Sequence, residues 1–343
     1  MFDPQRFPLR RRTLLKAAAG AAAATATGLR AVNAQTPAQK PAWTPGKPIR
    51  IIAAQAPGSS NDATARALAD HFTQKLGVPV VVENKPGGVS MIAADLVARA
   101  PADGHTLLVA LNSQLAQAPV LLKKLSIDPD KDLLPIASVG VGPLVGVVHK
   151  DFPAQTLEQL LAYARSKHVN TGNYAIGSGW QLMLSQLIKQ SQLQFNIVNY
   201  KGTGAMLADL FAGQVDIGGG SLAGMGAGIQ KGSFKPFVIF SNKRSSRLPD
   251  VPIWSDAGIR GPAFEDLVES NVVFAPTNTP PALVEQLAGL VQDAARHSPR
   301  MKAALEMLAE EEVPLVGAEL KRFIDRSWAS YRKLTREQGM SAD

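Results

Sequence analysis

The chain has 343 residues, more than one hydrophobic core usually fills, so two domains are expected. Hydrophobic residues make up 45% and charged residues 19%, a globular balance that argues against a disordered chain. There is no cysteine, which excludes a disulfide framework, a cysteine-ligated zinc site, a thiol nucleophile and a cysteine-anchored lipoprotein.

The formal charge of +8 is concentrated at the start. Residues 1–34 carry six basic side chains (Arg6, Arg10, Arg11, Arg12, Lys16, Arg30) against Asp3, and without them the charge is +3. A charged start, an alanine-rich stretch over 17–24 and small residues Val32 and Ala34 before Gln35 form an export signal with cleavage expected near Ala34. Arg11-Arg12-Thr13-Leu14-Leu15-Lys16 resembles the twin-arginine export motif, although Arg10 stands where Ser or Thr is usual, and an ordinary Sec signal is the alternative. The run is shorter than the ~20 apolar residues a membrane span needs. The mature protein is therefore expected in the periplasm. A weak +3 field with no basic–aromatic cluster also argues against nucleic acid as a partner.

Next, 49–53 reads as a strand, and Pro57-Gly58-Ser59-Ser60-Asn61-Asp62 as a turn and helix cap. Ala65, Leu68, Ala69, Phe72 and Leu76 repeat at helical spacing, and Gly77 ends that helix. A strand over 78–82, a helix over 90–100 and a strand over 106–110 follow. Further along, strands are expected at 144–148, 195–199, 215–217, 237–240 and 272–275, and a short strand with a glycine-rich turn over 172–179. Helices are expected at 157–167, with Thr156 as N-cap, at 181–190, from 205 to about 211, and as two or three segments within 280–338. Strands alternating with helices specify an α/β fold with a parallel sheet.

Four loops share one design, in which a strand ends, small polar residues turn the chain and a helix begins: 57–62, 86–90, 177–181 and 202–205. A helix start exposes unpaired N–H groups at the positive end of the dipole, and so suits an anion. Ligands in open α/β sheets bind at the carboxyl ends of strands. Four such loops, two in each half, point to a cleft; a purely structural role as helix caps is the alternative.

Nucleotide and catalytic signatures fail. There is no P-loop, and Gly218-x-Gly220-x-x-Ala223 follows too short a strand for dinucleotide binding. His71, His105, His149, His168 and His297 are scattered, so no histidine-pair metal site is expected. Gly87-Gly88-Val89-Ser90-Met91 comes nearest to a G-x-S-x-G elbow and fails at its last position. The run Glu310-Glu311-Glu312 reads as the solvated end of a helix. No cofactor and no metal are expected, and the protein is not read as an enzyme.

Several segments resemble the extracytoplasmic solute receptors of tripartite tricarboxylate transporters, the Bug family. Pro48-Ile49-Arg50-Ile51-Ile52 with Pro57–Asp62 is similar to its P-I-R strand and P-G-G-S-T-D loop, and Val81-Val82-Glu83-Asn84-Lys85-Pro86-Gly87 to its V-V-E-N-R/K-P-G segment. Pro101–Leu108, Tyr200-Lys201-Gly202, Leu210–Asp216 and Arg247–Pro252 resemble P-D-G-Y-T-L-L, Y-K-G, L-L-x-G-Q-V-D and L-P-D-V-P. The resemblance implies a two-lobed, type II periplasmic binding protein with a discontinuous first lobe, at about 44–142 plus 263–343, and a second lobe at 143–262. It implies a monomer that captures a small organic acid and delivers it to membrane permease subunits.

The chain departs from the family where G-x-G-T-S-x-H-L becomes Gly177-Ser178-Gly179-Trp180-Gln181-Leu182-Met183-Leu184, and where an apolar and acidic run becomes Ile217-Gly218-Gly219-Gly220-Ser221. Two hydroxyls suited to a carboxylate are gone and an indole stands there, which points to a larger or aromatic acid, unless Trp180 is a packing residue. The expected ligand-binding set is Ser59, Ser60, Asn61, Asp62, Gly87, Gly88 and Ser90 from the first lobe, and Ser178, Gly179, Trp180, Gln181, Thr203, Gly204 and Asp216 from the second. The alternatives are a secreted serine hydrolase and a ligand-sensing subunit for a membrane kinase.

Overall fold

The computed structural model describes residues 43–342, apart from 242, 243, 246, 247, 266 and 308–313. The export signal with its cleavage point near Ala34, Arg247 of the L-P-D-V-P turn and the run Glu310–Glu312 lie outside the described residues.

The first alternation is a parallel unit. Strands β1 (Ile49–Ala53), β2 (Val80–Asn84) and β3 (Thr106–Leu111) line up as β2-β1-β3, joined by α1 (Ser60–Leu76) and α2 (Met91–Ala98). Helix α1 begins where the Ser59 hydroxyl accepts the Asp62 N–H and stops at Gly77, whose φ of 70° only glycine adopts freely. Helices α3 (Asn112–Leu121) and α4 (Pro129–Asp132) then lead into β4 (Leu133–His149).

Strand β4 organises the molecule. Leu133 to Pro143 pairs antiparallel with β9 (Val268–Pro276), which in turn pairs with β3. From Leu144 onward β4 pairs instead with β7 (Ile217–Ser221) and β8 (Phe234–Ile239). Beyond β7 come the parallel strands β5 (Val169–Asn173) and β6 (Phe195–Asn199). The order is β2-β1-β3-β9-β4-β7-β5-β6, with β8 on β4, so that β4 joins a first sheet (β2-β1-β3-β9 and the start of β4) to a second (the end of β4 with β8, β7, β5 and β6). Only the 144–148 part of β4 is expected from the sequence. The rest contains Pro135, Gly140 with φ 68°, Gly142 and two bulges, so its apolar pattern never settles into a period of two.

The remaining helices are α5 (Leu157–Ala164), α6 (Gly179–Ser191), α7 (Thr203–Phe211), α8 (Leu222–Gln230), α9 (Pro262–Glu265), α10 (Pro281–His297), α11 (Pro299–Met307) and α12 (Gly317–Glu337). The first sheet is buried on both faces. Ile51, Ala53, Leu107, Val109 and Val273 pack with Leu68 and Phe72 of α1 and Leu287 and Val291 of α10. Ile52, Leu108, Ala110, Val272 and Phe274 belong to the core that holds Val97 of α2, Leu115 of α3 and Ile324 and Tyr331 of α12. Burial on two faces is what parallel strands flanked by crossover helices require.

Candidate functional site

The carboxyl ends of β1, β2, β5 and β6 feed the starts of α1, α2, α6 and α7, which are the four loops singled out from the sequence. Loops from the two sheets touch. A Cβ on Gly204 would lie 3.1 Å from the Pro57 carbonyl oxygen, one on Gly202 3.4 Å from the Ala56 nitrogen, and one on Gly177 3.5 Å from Val89 Cγ1. Substituting Gly204 by valine is therefore expected to hold the facing loops apart. The fold should survive while affinity for any ligand held between these loops falls at least tenfold, and calorimetric titration beside circular dichroism checks both.

The four starts are not equivalent. At α1, Ser59 caps Asp62 N–H, and Asp62 in turn accepts from Gly58 N–H at 3.0 Å and Asn84 Nδ2 at 3.0 Å and pairs with Arg66. Burial alone would raise the Asp62 pKa; the bonds from Arg66, Gly58 and Asn84 outweigh it and hold the carboxyl below its ordinary range. Asp62 thus braces its own loop. Asn61 is fully buried and donates Nδ2 to Asn271 Oδ1.

At α2, Gly87, Gly88, Val89 and Ser90 have φ of 118°, 55°, 51° and 66°. Such a left-handed run is strained at Val89, whose branched Cβ disfavours it. It turns the Ser90 hydroxyl away from the helix to donate to Gln114 Oε1 at 2.7 Å, so α2 has no side-chain cap. At α7 the N-cap is Gly202, which has no side chain to cap with.

The start of α6 is filled by the protein itself. Ser178 Oγ accepts from Gln181 N–H at 3.0 Å, and Gln181 Oε1 accepts from Gly177 N–H at 2.8 Å. Gly179 N–H donates at 3.0 Å to Glu269 Oε1 on β9, and the Ser113 hydroxyl of α3 donates to the same oxygen at 2.8 Å. Burial raises the Glu269 pKa, partly offset by Tyr174 beside it, the Gly179 amide and Ser113.

Two cavities follow the facing loops. One, of about 210 Å³, is lined by Gln55, Gly87, Ser90, Gln114, Tyr200 and Gly202, among others. The other, of about 150 Å³, is bounded by Ser59, Ser60, Thr203, Gly224 and Asn271. A larger groove of about 750 Å³ runs between β4, α10 and α12 and includes none of the four loops. Gln55, Gln114 and Glu269 were not singled out from the sequence. Gln55, a polar residue directly after an apolar strand, and Glu269, an acid beside an apolar run, could have been; Gln114 lies in a helix with no periodic signal. Among the described residues no group of three or more His, Asp or Glu side chains could hold a metal ion, and no helix is long and apolar enough to cross a membrane.

The chain is 30% identical to protein BugT of Bordetella pertussis over 303 residues, which cover 86% of this chain and 90% of BugT. Its fold is similar to the solved periplasmic binding protein BugD, with TM-score 0.76, 27% identity and coverage of 87% of this chain and 99% of that one. It is similar too to an R. palustris protein solved with adipate, with TM-score 0.79, 25% identity and coverage of 87% and 99%. Residues 64–340 match the family described as tripartite tricarboxylate transporter family receptor, TctC. The chain belongs to this family.

As a TctC receptor it is a solute-binding protein of the periplasmic type with the two-lobed α/β fold, and not an enzyme. Its departures from the family motifs now explain each other. Trp180 does not face the cavity. It is fully buried, stacked on Phe240 with ring centroids 5.6 Å apart, and its Nε1–H donates to Thr171 Oγ1 at 3.2 Å. A Cβ on Gly219 would lie 2.1 Å from the indole, so the glycine run of β7 makes room for the ring. The strand expected at 215–217 thus runs instead over Ile217–Ser221, through the glycines. Asp216 is also misplaced as a ligand contact: it precedes β7, at the edge opposite the helix starts, and its carboxylate accepts the Asn170 N–H at 2.8 Å.

Proposed function

We propose that this TctC receptor captures a small organic carboxylate in the 210 Å³ cavity and delivers it to the membrane permease subunits of a tripartite tricarboxylate-type transporter. One observation carries the reading. Of the four loop-to-helix starts, the two without a side-chain cap, α2 and α7, follow strands at the two ends of the strand order, and their loops line the same cavity. Uncapped starts leave N–H groups aimed at an anion, with the helix dipole behind them. Gly87, Gly88 and Ser90, which line that cavity, are the contacts proposed, with Thr203 and Gly204 at the α7 start beside it, Thr203 bordering the neighbouring cavity. Ser59, Ser60, Asn61 and Asp62 shape the neighbouring wall, and Ser178, Gly179 and Gln181 close the far side. The lobes, 44–142 with 263–343 and 143–262, would close about β4 and β9, and the changed surface would signal to the permease. The aromatic acid suggested by Trp180 loses its basis, because the indole is packed inside. A monomer is proposed.

The test is a thermal-shift screen of aliphatic carboxylates. A ligand that binds only the folded chain stabilises it by about 2.7 kcal/mol at a hundredfold excess over Kd. At least one acid should raise the melting temperature, and the rise should be absent in Gly204→Val. A flat response to every acid would remove the reading.

A further inference from the structure

Resting on that reading, we infer that the solute has one carboxylate and an uncharged hydrogen-bond donor, a hydroxyl or an amide, at its other end. Three features point this way. The α6 start, which would otherwise be a seat for a carboxylate, is occupied by Glu269 from within the chain. Among the described residues, the only cationic side chain on the cavity wall is Lys201, beside the α7 start. The wall also carries two carboxamides, Gln55 and Gln114. Ser90 Oγ donates to Gln114 Oε1 at 2.7 Å, and Gln55 Nε2 donates to the same oxygen at 3.4 Å.

That arrangement fixes what Gln55 offers. Its Nε2 is engaged with Gln114, while its Oε1 is buried and has no hydrogen-bond partner. Gln55 itself is only 3% exposed. A buried acceptor without a donor is costly, and a solute that supplies an O–H or N–H relieves it. A carboxylate cannot, because it only accepts, and its charge would face the Gln55 carbonyl. A diacid would thus satisfy the α7 end and be repelled at the other. A site built to bond a polar hydrogen rejects the analogue that lacks it far more strongly than it rejects a change of one methylene.

The experiment compares matched pairs: succinate, glutarate and adipate, each against its monoamide, and 6-hydroxyhexanoate against hexanoate. Titration calorimetry at fixed pH gives the affinities. In the best-fitting chain length the monoamide should bind at least tenfold tighter than the diacid, and the hydroxy acid tighter than hexanoate. In Gln55→Leu the preference for the monoamide should fall below about threefold, with binding of the carboxylate end retained. Equal or tighter binding of the diacids would overturn this inference and leave the receptor reading standing. Unchanged discrimination in Gln55→Leu would overturn the role given to Gln55. No binding by any member would overturn the receptor reading and this inference with it.

Discussion

Replacing Trp180 by alanine is expected to destabilise the protein by about 3–5 kcal/mol, the usual cost of emptying a large aromatic site in a packed core. The ring is fully buried, stacked on Phe240 at 12° between planes, and bonded to Thr171. Affinity of the remaining folded protein for its solute should change less than threefold, because the indole does not line the cavity. The partner position gives the sharper result. In Gly219→Ala the new methyl would lie 2.1 Å from Cε3 and 2.4 Å from two more ring atoms, with no flexible end to move aside. Overpacking of that kind costs about 1–3 kcal/mol or more. In the double variant the methyl enters space the ring has left, so the loss should be smaller than the sum of the singles by about 1–3 kcal/mol. Urea unfolding of the four proteins measures this. A neutral Gly219→Ala would mean that the indole does not rest on β7.

The same pair shows what the sequence could disclose. Trp180 and the glycine run 217–221 both stand out as departures when read along the chain, but only the fold brings α6 over β7 and makes them one adaptation. The parallel units were legible because each strand is a short apolar run followed by turn chemistry and a 3.6-residue period. Helix α3 was not, because Asn112, Ser113, Gln114 and Gln117 are all buried and no polar face marks it. Helix α8 was hidden by Gly224, Gly226 and Gly228, which lower helix propensity; a Cβ on Gly228 would lie 1.9 Å from the Phe234 ring, so close packing sets that residue rather than local preference. The four helix starts were visible as loops. Which of them keeps free amides was not, since that depends on Glu269 and Ser113 arriving from remote parts of the chain.

Glu269 carries the second large effect. Glu269→Ala should be the least stable variant at every pH. It strands the Gly179 N–H and the Ser113 hydroxyl in the interior at about 1–3 kcal/mol each, and leaves a void as well. Glu269→Gln should behave in the opposite way near neutrality. Its amide oxygen can accept the same two donors, and it removes a charge that burial opposes. Burial holds the folded pKa above the ordinary value of 4.5, and Tyr174 and Tyr331, the other titratable groups facing it, supply no positive charge. Below pH 4.5 both folded and unfolded chains keep the proton. As pH rises from there to the raised folded value, the unfolded chain ionises first, and wild-type stability falls. The stability of Glu269→Gln relative to wild type should therefore grow between pH 4 and pH 7, as thermal melts across that range would show. A difference that shrinks instead would mean that the bonds from Gly179 and Ser113 outweigh burial. The carboxylate sits on β9, opposite Gly142 of β4, one pair before β4 changes partners, and bonds to α3 on one side and α6 on the other. Removing its charge thus trades a fixed anion at the α6 start for stability. The same substitution should weaken the bond that ties α6 to β9 across that crossover, where an anion also meets the positive end of the helix dipole.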